Sequence, residues 1–133
     1  MKLKEMVLRA VLNKEALPGS DQPLMFPDLA LLFSQPEIYL ADNDIRDLAH
    51  LKPLDKRVRI VNEEFLKEEA RKNGQVYFLV IGVKEEGSVM ISIELKVMAS
   101  SDMQAYVLSS MLLKMESVDG RWKSIGDATS LSA

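Results

Sequence analysis

The chain reads as a single α+β domain over residues 1–133: an N-terminal helix and short elements, followed by a helix and a curved four-strand antiparallel meander. Three observations predict this. Leu3, Met6, Val7, Ala10 and Val11 recur at helical spacing among Lys2, Lys4, Glu5, Arg9 and Lys14. All five prolines (Pro18, Pro23, Pro27, Pro36, Pro53) lie within residues 18–53, and none follows. Proline fixes φ and removes a ladder donor, so the middle is expected to be short elements and turns, while the rest is free to form long strands. From residue 75 onward, apolar or alternating runs follow one another, separated by turn residues.

Taken in order, the first helix spans residues 2–15 and stops at "LPGS". Pro27 suits a first helical turn, which predicts a short helix over 27–34. "EIYLA" (37–41) reads as a strand, and "RVRIV" (57–61) as a short, solvated edge strand whose charges discourage edge pairing. The clearest helix follows. Asn62 is its N-cap, Glu63 and Glu64 its acidic first turn, Arg71 and Lys72 its basic last turn, and Gly74 its stop. Glu63–Lys67 and Glu68–Lys72 are i,i+4 pairs in the favourable order, and the apolar stripe of Val61, Phe65, Leu66 and Ala70 is thin.

Residues 75–84 are apolar on both faces, as a central strand covered twice requires. Gly82 inside that run predicts a bulge or bend. Residues 89–98 alternate, with Val89, Ile91, Ile93, Leu95 and Val97 on one face and Met90, Ser92, Glu94, Lys96 and Met98 on the other. Residues 105–118 place Val107, Met111, Leu113 and Met115 opposite Leu108, Leu112, Lys114 and Glu116. Asp119–Gly120 then signals a two-residue hairpin into "RWKSIG", with Trp122, the one tryptophan, expected to cover an end of the core.

Asp119, Gly120, Arg121, Trp122 and Lys123, joining the last two strands of a meander, resemble the ending of many chains of the cystatin-like architecture, in particular the NTF2-like (SnoaL-like) superfamily. The resemblance covers about half the chain. It implies a sheet curved around a helix, often with a conical pocket and often a homodimer through the sheet face. It implies no reaction, because that superfamily hosts isomerases, dehydratases, cyclases and many non-enzymes. The Pro-rich 18–53 segment departs from the usual N-terminal helical layer, and no catalytic role is carried over.

Composition bounds the chemistry. With no cysteine there is no disulfide, thiolate nucleophile or Cys-ligated metal, and one histidine excludes any site needing two or more from one chain. A net charge of −3, spread evenly, gives no basic field for nucleic acid or an anionic membrane. Glu5 and Arg9 interrupt the start as a signal peptide, and no run spans a bilayer, so a soluble, cytoplasmic protein is expected. The glycines make no phosphate cradle.

The densest polar cluster is "LADNDIRDLAH" (40–50). In a helix Asp44, Asp47 and His50 would share a side, and Tyr39, Asp47 and His50 are the candidate polar groups for a pocket. The competing reading makes Asp42, Asn43 and Asp44 turn and cap residues and leaves Asp47 and His50 in solvent. Met90, Met98, Leu108 and Leu112 form the candidate interface, a semi-apolar patch on the outer sheet face. The expected function is a binding or assembly module, homodimeric through that face, which also suits a protein partner or small apolar ligand. A pocket enzyme or small-molecule carrier of NTF2-like type is the alternative, and no cofactor or metal is expected.

Overall fold

A computed structural model describes residues 2–20, 28–41, 57–101 and 104–132. Its elements are α1 (Lys2–Asn13), α2 (Leu29–Phe33), β1 (Glu37–Leu40), β2 (Arg57–Ile60), α3 (Glu63–Asn73), β3 (Val76–Glu85), β4 (Met90–Ser100), β5 (Ala105–Val118) and β6 (Arg121–Ser132). The strands form one curled, mixed sheet of six in the order β2-β1-β3-β4-β5-β6. Among the described residues no helix is long and apolar enough to cross a membrane.

The sheet differs from the expected four-strand antiparallel meander. β1 pairs in parallel with both β2 and β3, so two short strands extend the sheet beyond β3. The physical reason is the β2–α3–β3 crossover. A parallel connection needs a dozen or more residues, usually helical, and α3 with its flanks supplies them while β1 slots between the strands it joins. Gln35 extends this junction. Its side-chain amide donates to the Tyr77 carbonyl at 2.8 Å and its oxygen accepts from the Tyr77 N–H at 2.8 Å, continuing the ladder where β1 has not yet begun.

The first sheet face lies against α1 and α2. Val7, Leu8, Val11 and Leu12 of α1 and Leu32 of α2 meet Leu79, Ile93, Leu95, Val97, Leu113 and Met115 in the main core. Burying each such side chain stabilises the fold by about 1.5–3 kcal/mol. Trp122 is half-buried against this core, at the β6 end of the sheet. The second face is covered in part by α3, where Tyr39, Val61, Leu66, Ala70, Val76 and Phe78 make a smaller core. β3 is therefore apolar on both faces because both are covered.

Local chemistry sets the ends. The Asn62 side-chain oxygen accepts from the Phe65 N–H at 2.8 Å, capping α3, and Gly74 closes it at φ +85°. Glu63 pairs with Lys67 at 3.2 Å, whereas Glu68 pairs with Arg71 at 3.1 Å and not with Lys72. Asp119 (φ +54°) and Gly120 (φ +77°) both occupy the left-handed region, the signature of a type I′ hairpin turn. The β3–β4 register runs unbroken through Gly82↔Glu94, so Gly82 makes no bulge. The register shifts instead at Val97/Met98 and at Leu112/Lys114.

One contact ties the loop after α1 to the far edge of the sheet. The Ser124 N–H of β6 donates to the Pro18 carbonyl at 2.7 Å. Gly19, at φ +88°, lies so close that a Cβ there would sit 2.8 Å from the Ser124 carbonyl oxygen. Only glycine satisfies both the dihedral and the approach.

Candidate functional site

α3 crosses the second sheet face without filling it. Its buried anchors, Leu66 and Ala70, face the sheet, while Phe65 turns towards β1 and β2. There the Phe65 ring meets Tyr39 edge-on at 5.3 Å and carries the Arg59 guanidinium 4.6 Å from its centroid. Arg59 also pairs with Glu37 at 3.5 Å. On the opposite flank of α3, towards β4 and β5, an open cavity of about 430 Å³ remains.

The cavity has an apolar floor and a polar rim. Phe78, Leu66, Ala41 and Ala105 supply the floor. The rim is Glu63 and Lys67 of α3 together with Ser100, Ser101 and Gln104 at the β4–β5 connection. The connection is braced from within: the Ser101 N–H donates to the Gln104 carbonyl at 2.9 Å and the Gln104 N–H to the Ser101 hydroxyl at 3.3 Å. Ser100, buried in the sheet, donates its hydroxyl to the Ser101 carbonyl over a long 3.3 Å. Apolar walls with a few fixed hydrogen-bonding groups in this volume range are the makeup of a small-molecule site.

The residues singled out from sequence fall elsewhere. Tyr39 is 7% exposed and packs in the smaller core on the β1 side of α3, outside the cavity lining. Burial there, then the nearby Glu69 and Glu37 carboxylates, raise its phenol above the ordinary value of 10.0, against an opposing pull from Arg59. Asp44, Asp47 and His50 lie outside the described residues. Among the described residues, no group of three or more His, Asp or Glu side chains is placed to hold a metal ion.

The four apolar residues expected on one outer patch are not on one surface. Met98 is half-buried in the core beneath α3, beside Phe78 in register. Leu108 packs against the main core on the first face. The register shift at Val97/Met98 accounts for this: Val97 opposes Ser109 while Met98 opposes Val107, so Leu108 is the extra residue and its side chain is re-aimed. Met90 and Leu112 stay on the second face beyond α3, with Leu112 opposite Glu94 and 44% exposed.

The cavity residues carry no local sequence signature. Ser100, Ser101 and Gln104 look like an ordinary turn, and only the placement of α3 turns them into a rim. Comparison of the chain with protein-family models, with curated proteins and with solved structures finds no match.

Proposed function

We propose that this domain is a soluble, cytoplasmic binding module that takes a small molecule in the cavity between α3 and the β3–β5 strands. The observation that carries this reading is the pairing of an apolar floor (Phe78, Leu66) with a hydrogen-bonding rim (Ser100, Gln104) around about 430 Å³. The kinship with the cystatin/NTF2-like architecture belongs to the same proposal. A curled sheet with α1 against its first face and the Asp119–Gly120 hairpin support it, and the parallel β1 and β2 and the covering of the second face by α3 depart from it.

Native mass spectrometry, repeated under denaturing conditions, tests this reading with the Ala105→Trp variant as control. Ala105 is exposed at the cavity wall, so an indole there fills the space without straining the core. The expected result is a reproducible small adduct that is lost on denaturation and missing from Ala105→Trp. No adduct, or one retained unchanged by Ala105→Trp, counts against it.

A homodimer through the second sheet face is the second reading, favoured by the exposed Leu112 midway along β5. Sedimentation of Leu112→Glu tests it: a dimer that becomes monomeric supports the face, and an unaltered dimer rejects it.

A further inference from the structure

We infer that Tyr77, Gln75 and Tyr106 form a clasp on the first sheet face that holds the rim of the cavity on the second, so that release of Gln75 from Tyr106 opens the site. The coupling of this device to a ligand rests on the binding reading above. Adjacent rungs of the β4–β5 ladder serve the two faces. Ser100 pairs with Ala105, and both line the cavity; the next pair inward, Ala99 with Tyr106, faces the other way. Whatever holds Tyr106 therefore also holds the last rung of the cavity wall.

Tyr106 is held from β3. Tyr77 opposes Ala99 from that side, so the two tyrosines flank an alanine that is 0% exposed. The Gln75 side-chain amide bridges them. Its nitrogen donates to the Tyr106 hydroxyl, and its oxygen accepts from the Tyr77 hydroxyl at 3.1 Å. Glutamine suits this place because one planar group carries both a donor and an acceptor. Tyr77 is itself anchored, since Gln35 binds both its backbone N–H and its carbonyl at 2.8 Å. Gln75 follows Gly74, the stop of α3, so the clasp joins the chain leaving one wall of the cavity to the chain leaving the other. Tyr106 is 40% exposed, and strand ends open locally at little cost, so a rung pinned back to β3 opens less often than one held by burial alone.

Hydrogen exchange on Gln75→Leu and Tyr106→Phe tests this. Neither side chain is buried, and each variant keeps most of the bulk while removing the bond. The Ser101 and Gln104 amides, which bond across the β4–β5 connection, should exchange about fivefold faster in both variants, the weight of one hydrogen bond, while Leu79 and Leu95 in the sheet centre keep their rates. Unchanged rates at the connection, or an equal rise at Leu79 and Leu95, overturn the clasp. Benzamide, whose ring matches the Phe78 floor and whose amide matches Ser100 and Gln104, reads the coupling. Its apparent Kd should rise by about the same factor in Gln75→Leu, because the ligand favours the closed rim. An equal Kd for the two proteins overturns the coupling. If benzamide binds neither protein, the binding reading fails, while the exchange rates still decide the clasp.

Discussion

Gly19 and Gly74 make a matched pair for testing the closure of the fold. Both hold left-handed backbone, at φ +88° and +85°, but only Gly19 is crowded. At Gly74 a Cβ meets nothing within 4 Å, so Gly74→Ala carries the dihedral penalty alone. That penalty is about 1–2 kcal/mol, offset by roughly 0.4–1 kcal/mol from the stiffer unfolded chain. A net loss of about 1 kcal/mol follows. Gly19→Ala carries the same penalty and also drives a Cβ to 2.8 Å from the Ser124 carbonyl oxygen, with the Pro18–Ser124 hydrogen bond held by the same two segments. Relieving such an overlap costs about 1–3 kcal/mol in shifted backbone, so the total is about 2–4 kcal/mol. Urea unfolding of the two variants at equal slope measures the difference directly. Equal midpoints for Gly19→Ala and Gly74→Ala would refute the close approach between the α1 loop and β6.

Other substitutions test the two cores. Ser109 is 0% exposed and its hydroxyl has no hydrogen-bond partner among the described residues, so Ser109→Ala should be neutral or about 1 kcal/mol stabilising in chemical denaturation. Met98→Glu places a carboxylate in the core under α3 and should destabilise by about 1–3 kcal/mol, whereas Leu112→Glu should stay within about 0.5 kcal/mol; equal losses would put Met98 on the surface. Tyr39 gives a pH signature. Its folded phenol titrates above 10.0, so the folded state holds its proton more tightly than the unfolded chain, and this stability is present below about pH 10 and lost as pH rises through the folded value. Unfolding followed between about pH 9 and about pH 11 should therefore show a steeper loss for the native protein than for Tyr39→Phe, and identical slopes would contradict the burial argument.

What could be read from the residues was whatever local physics decides. The Asn62 cap, the acidic and basic ends of α3 and the Asp119–Gly120 turn need no tertiary partner, and all stand where their chemistry places them. Alternation in β4 located Ile91, Ile93, Leu95 and Val97 in the core because their face is buried without interruption. Pairing order was not legible: "RVRIV", a capped helix and "QVYFLV" form a β-α-β pattern, yet nothing local says that β1 returns to lie between the two strands. Leu108 escaped for a different reason. A single register shift inverts alternation, and the residues around Val97 and Met98 do not advertise one. Met98 and the cavity share a cause, since the thin stripe of α3 determines that the helix sits on the second face but not how much of that face it leaves open.

The most direct measurement of the central claim is a map of amide chemical shifts on adding benzamide to the 15N-labelled protein, with Ala105→Trp alongside. The account predicts shifts that converge on Leu66, Ser101 and Gln104, spare Leu112 on the open part of the face, and vanish in Ala105→Trp. Shifts centred on Leu112, or a pattern that Ala105→Trp leaves intact, would contradict it and move the site out of the cavity.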